Sequence, residues 1–269
     1  MEKPARNIRL QLEYEGTGFE GFQRQPRGRT VEVELEKALR RLTGEAVRII
    51  GASRTDAGVH ALGQVVNFRT TAVIPAERIA CALNGILPAD IRILESCEAE
   101  AGFHARHDAY RKTYIYLIYR QQRGAVLYRH RAWLIFKDLR VEPMAAAARE
   151  LEGTHDFSSF CASNSGVQNR TRTVQQCRLE SEGPWLRLQI TADGFLYHMV
   201  RNIIGTLVAV GQGKIPAEAI TGILQSRERS RAGPTAPAQG LYLLQIDYPH
   251  NVDREQENGV KCLSMRLPD

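Results

Sequence analysis

The order of hydrophobic periodicities over the first hundred residues constrains this chain more than any other feature. Ile8, Leu10, Leu12 and Tyr14 alternate with polar residues, the period of a half-buried strand. Leu35, Ala38, Leu39 and Leu42 then fall at i, i+3, i+4 and i+7, one stripe of a helix that Thr30 opens and Gly44 closes. Glu32, Glu34 and Glu36 lie early in it and Arg40 and Arg41 late, each where the helix dipole favours its charge. Residues 46–51 and 64–70 read as strands, a second helix runs from Pro75 to Leu87, and residues 91–97 read as another strand. The run β-α-β-β-α-β is that of a split ferredoxin-like unit.

A similar order returns further on. Residues 110–120 read as a long strand, the alanine-rich 143–151 as a helix, and 172–180 and 185–192 as strands around the Glu182-Gly183-Pro184 turn. An apolar helix over 198–210, a shorter one over 216–225 and a last strand over 241–248 complete it. The fold class expected is α+β: two ferredoxin-like or RRM-like halves, 1–109 and 110–248, whose mainly antiparallel sheets join into one central sheet. Residues 249–269 are polar and unpatterned and read as a tail.

Charge points to a polyanionic partner. The net charge is +6, and lysine supplies only six of the 36 basic residues, leaving 30 arginines. Arginine grips phosphate bidentately and stacks on bases, as lysine cannot. Three loops carry arginines, two of them at short spacing: Arg24, Arg27 and Arg29; Arg123; and Arg227, Arg229 and Arg231. These seven are candidates for tracking the backbone of a polyanion. The five cysteines form no CxxC pair, and His104 and His107 lack a third ligand, so no metal and no disulfide framework are expected. No apolar run approaches a membrane span and the N-terminus lacks a signal-peptide core, so a soluble, cytoplasmic protein without a membrane partner is expected.

Between two of the expected strands, Gly51 to Phe68 reads GASRTDAGVHALGQVVNF. Arg54 and Asp56 stand at i and i+2 on a glycine-flanked turn, a fixed carboxylate raised at the end of a sheet. Gly58 and Gly63 are read as backbone requirements of that turn. SRTDAGVHALGQV resembles the signature of the TruA family, the tRNA pseudouridine synthases that act on the anticodon stem. GFEGFQRQ, NGILPADI, GFHARHDAYRKTYIYLIY, GTHDFSSFC, GFLYHMVRNIIGTL and APAQGLYL stand in that family's order, and the likeness runs from Gly18 to Tyr248.

The resemblance implies a cofactor-free isomerase that converts uridine to pseudouridine at positions 38, 39 and 40 of tRNA. It implies a homodimer whose partner is the anticodon stem-loop. Asp56 is then the catalytic residue, as nucleophile or base, and an aspartate with a reference pKa of about 3.9 is ionised at neutral pH. Tyr114 is the ring onto which the target base flips, with Tyr116 on the same strand face read as core. Arg201, in an otherwise apolar helix, pairs with Asp56, since a buried arginine needs an anionic partner. Arg54 reaches the RNA and helps occupy the space left by the flipped nucleotide, and Leu243 closes the uracil pocket. His60, His104 and Arg106 sit in family motifs without an assigned role, and His60 is read as structural. Two other classes fit parts of the pattern. A pure RNA-binding protein needs no buried carboxylate, and a glycoside hydrolase normally needs a second acid that these motifs lack.

Overall fold

The structure, a computed structural model, describes residues 4–249. The segment read as a tail lies outside the described residues from 250 onward. The first half runs β1 (Arg6–Tyr14), α1 (Val31–Thr43), β2 (Ile49–Gly51), β3 (His60–Thr70), α2 (Ala76–Asn84) and β4 (Ile91–Ala99). That is the order the periodicities predict. Thr30 caps α1 by accepting from the Val33 amide at 3.4 Å, and Gly44 ends it at φ 77° with its N–H on the Arg40 carbonyl. Glu36 does more than complement the dipole. It is buried, takes ion pairs from Arg24 and Arg48, and accepts the Ile49 amide.

The second half runs β5 (Arg111–Tyr119), α3 (Ala125–Tyr128), β6 (Trp133–Leu134), α4 (Val141–Arg149), β7 (Gly153–Asp156), β8 (Thr171–Glu182) and β9 (Trp185–Ala192). It ends with α5 (Met199–Gly211), α6 (Ala219–Ser226) and β10 (Leu241–Asp247). The fold is α+β, built on one mainly antiparallel sheet ordered β4-β1-β3-β10-β5-β9-β8-β7, with β2 beside β3 and β6 beside β5. The boundary expected at 109/110 falls between β4 and β5. The halves meet through the last strand. β10 lies parallel to β3 at Tyr242↔His60 and Leu243↔Ala61, and antiparallel to β5 at Leu243↔Tyr114. Gly63 permits that approach, because a Cβ there would collide with the Leu244 carbonyl.

One apolar core spans both halves, from Ile8 and Leu35 to Ile203 and Leu243. α5 passes through it, and every residue of that helix except Arg201 is buried. A helix apolar on all sides belongs in the interior, so its one cation must find its partner there.

Candidate active site

The Asp56 loop rises where the edge of β3 is divided. β2 pairs with β3 at Val66–Phe68, β10 pairs with it at His60 and Ala61, and residues 52–59 emerge between them. Several bonds fix this loop. The buried Gln64 carboxamide accepts from the Ser53 amide at 3.1 Å and donates to the Ser53 carbonyl at 2.7 Å. The Thr55 and Tyr14 hydroxyls share a hydrogen bond of 2.7 Å, and the Phe22 amide donates to the Thr55 carbonyl at 3.1 Å. Gly58, at φ 77°, donates to the Phe19 carbonyl. With its backbone committed on both sides, the turn holds Asp56 in one position.

Arg201 meets that carboxylate. Its Nη1 donates to Oδ2 of Asp56 at 3.0 Å, while its Nε donates to the Ala236 carbonyl at 2.8 Å. Nε2 of His198 lies 3.4 Å from the same Oδ2. His198 precedes α5 in the left-handed region at φ 61°, a conformation that costs a non-glycine residue free energy and recurs at functional sites. Burial lowers its pKa below the ordinary value; Asp56 opposes that effect, and Arg201 and Arg229 add to it. Sequence reasoning missed His198. The only signal was a histidine in an apolar stretch, and its approach to Asp56 depends on a backbone reversal that no periodicity encodes.

Tyr114 stands on β5 with its hydroxyl hydrogen-bonded to Ser53 Oγ at 2.8 Å and its ring 5.0 Å from Phe195, edge to face. Burial pushes its pKa up to about 12, so the phenol is neutral. Tyr116 is fully buried and donates to the Pro237 carbonyl, as a core residue does. Asp56, Arg54, Tyr114, His198 and Arg201 all line one cavity of about 980 Å³. Leu243 is fully buried beside Tyr114 in the sheet, and Leu241, two residues earlier, is the β10 residue that lines the cavity. His60 is structural: Nδ1 accepts the Gly16 amide, Nε2 faces the carbonyls of His130 and Gln239, and the ring stacks on Tyr242.

The loop arginines divide. Arg29 is held bidentately by Asp90 and covers the Phe19 ring at 4.2 Å. Arg229 turns inward onto the carbonyls of Ala232 and Gly233, Asn202 Oδ1 and Thr235 Oγ1. Arg24 is paired with Glu36, and Arg227 with Asp156 at 3.1 Å. These four serve intramolecular contacts first. Arg27 lines the cavity, Arg123 is exposed, and Arg231 is exposed with Glu228 beside it. Arg54 is exposed and makes no ion pair among the described residues. No group of three His, Cys, Asp or Glu among the described residues could hold a metal ion, and no described helix is long and apolar enough to cross a membrane.

The family model described as tRNA pseudouridine synthase matches residues 12–108 and 147–249. The tRNA pseudouridine synthase A of Syntrophomonas wolfei is 53% identical over 244 residues, which cover 91% of this chain and 98% of that protein. The protein of the same name from Acetivibrio thermocellus is 50% identical over 90% of this chain and 100% of its own length. That of Moorella thermoacetica is 49% identical over 90% and 99%. The chain belongs to the tRNA pseudouridine synthase family and is an enzyme of that class.

Proposed function

We propose that this enzyme isomerises uridine to pseudouridine at positions 38, 39 and 40 in the anticodon stem-loop of tRNA, with Asp56 as the reacting group. The observation that carries this reading is the Asp56 carboxylate held through Oδ2 by Arg201 and His198, on the wall of a cavity that also exposes Tyr114. Of its two oxygens, Oδ1 is the one left to react.

The reaction breaks the N1–C1′ bond, turns the uracil, joins C5 to C1′, moves the C5 proton to solvent and returns a proton to N1. It balances without an oxidant, a reductant or a cofactor. Asp56 attacks C1′, adds to uracil C6 or takes the C2′ proton, and in each case an ionised carboxylate of fixed position is required. A stacked uridine must first leave its helix, at a cost of a few kcal/mol. Stacking on the Tyr114 ring, worth roughly 1–3 kcal/mol per base, offsets that cost. Arg54 fills the vacated space, Leu243 supports the Tyr114 side of the pocket and Leu241 closes it. Arg27, Arg123 and Arg231 follow the phosphates, while Arg24, Arg29, Arg227 and Arg229 reach RNA only from within their ion-paired loops.

We further propose a cytoplasmic homodimer. Val126 and Leu127 on α3, and Phe136 beyond β6, are 71%, 75% and 51% exposed, apolar side chains available for contact with a second copy.

The test is product mapping. Unmodified tRNA incubated with the enzyme and treated with a pseudouridine-selective carbodiimide should stop primer extension at the anticodon-stem positions. Stops elsewhere, or none, would contradict the assignment.

A further inference from the structure

Lys112 is the one lysine in the cavity wall, and the reaction as described does not use it. It stands on β5 two residues before Tyr114, so both side chains leave the sheet on the same face. Its cross-strand neighbours are Ala192 on β9 and Ile246 on β10, neither of which carries a charge. Nζ donates to the Ala52 carbonyl at 2.7 Å, at the start of the Asp56 loop, and no carboxylate pairs with it among the described residues. The charged group that faces it is another cation, Arg106, on the loop before β5. Arg106 also lines the cavity, is exposed, and makes no ion pair among the described residues. An ammonium group has three donors; one is used here, and the remaining two have no acceptor among the described residues.

Two cations that share a cavity wall, neither of them ion-paired among the described residues, are arranged for an anionic ligand. A single neutral acceptor, such as a uracil carbonyl, would satisfy one hydrogen bond and leave two positive charges facing each other. A phosphodiester satisfies both. We propose that Lys112 and Arg106 form a subsite for a phosphodiester group of the RNA strand, next to the uridine received by Tyr114 and Asp56. This assignment rests on the reading that RNA is the substrate. It also gives Arg106 the role that its motif lacked.

A consequence follows for pH. Burial, with Arg106 adding to the effect, lowers the Lys112 pKa to about 8. Where Lys112 is neutral, binding of a phosphodiester is coupled to proton uptake by its amine, so RNA affinity should decline as pH rises through about 8.

The experiment measures Kd, KM and kcat for an anticodon stem-loop RNA between pH 7 and 9. Lys112→Gln should weaken Kd about tenfold at pH 7, the loss expected for one charge-assisted contact, and should abolish the pH dependence. Lys112→Arg should bind well and stay flat across the range. Arg106→Gln combined with Lys112→Gln should cost less than the two single losses together. RNA with neutral methylphosphonate linkages flanking the target uridine should bind wild type more weakly, and the loss should be smaller for Lys112→Gln, which keeps only Arg106 at the subsite, and smallest for the double variant.

Wild-type affinity in Lys112→Gln, or equal sensitivity of both proteins to the methylphosphonate, would overturn the proposal. So would a fall in kcat at unchanged Kd, which would make Lys112 a brace for the Asp56 loop. Failure of the pseudouridine reading is separable: wild type would form no product, while the Kd comparisons would still report on the subsite.

Discussion

Arg201 donates from Nη1 to Oδ2 of Asp56 at 3.0 Å across 145 positions of chain. It is the only residue of α5 that is not buried, and the Ala236 carbonyl fixes its other edge. The helix that crosses the core thus delivers one cation to one carboxylate.

Removing that cation should therefore act on the reaction more than on RNA binding. Arg201→Gln leaves Asp56 without its ion-pair partner, at a cost of about 2–3 kcal/mol in this partly exposed site, or roughly a 100-fold fall in kcat. Single-turnover kinetics at saturating RNA check the value, and a Kd within threefold of wild type separates it from misfolding.

Tyr114 combines a ring and a hydroxyl, and two substitutions separate them. Tyr114→Phe keeps the ring and loses the bond to Ser53, which should lower stability by about 1 kcal/mol and leave RNA affinity within a few-fold. Tyr114→Ala should weaken RNA binding by about 1–3 kcal/mol if the target base stacks there. Equal affinity of the two variants would remove the ring from the binding account.

His60 supplies a pH signature. Burial lowers its pKa, and the Gly16 amide occupies Nδ1, so a second proton would break that bond. The unfolded chain then binds more protons than the native protein below the ordinary histidine pKa of about 6.5. Stability should decline as pH falls from there through the native pKa. NMR titration of the ring should give a native pKa below the ordinary 6.5. A native pKa at or above 6.5 would be inconsistent with this packing.

Gly205 links packing to the site. A Cβ there would overlap the Pro234 carbonyl, in the segment whose Ala236 carbonyl anchors Arg201. Gly205→Ala should lower stability by at least about 1–3 kcal/mol and reduce kcat as well. Thermal unfolding and single-turnover rates on the same sample test the coupling.

Much of the scaffold was legible because it is local. The stripe of Leu35, Ala38, Leu39 and Leu42 with its caps Thr30 and Gly44 defines α1, and the alternation over Trp185–Ala192 matches β9 residue for residue. β7 escaped because its four residues, Gly153–Asp156, are exposed or half-buried and carry no apolar alternation. The loop arginines escaped for another reason. Spacing at i and i+2 does not say whether a guanidinium faces solvent, as at Arg27, or folds back onto carbonyls, as at Arg229. His198 and Gln64 reach their positions through tertiary contacts: one by a left-handed residue before α5, the other by a buried carboxamide bonded to Ser53.

The central claim is that Asp56 carries out the chemistry and does not merely hold the turn. Anticodon stem-loop RNA tritiated at uracil C5 tests it most directly when wild type and Asp56→Asn are compared. Wild type should release tritium to water without free uracil, and Asp56→Asn should release none while binding the RNA within a few-fold of wild type. Tritium release by Asp56→Asn at a wild-type rate would contradict the account.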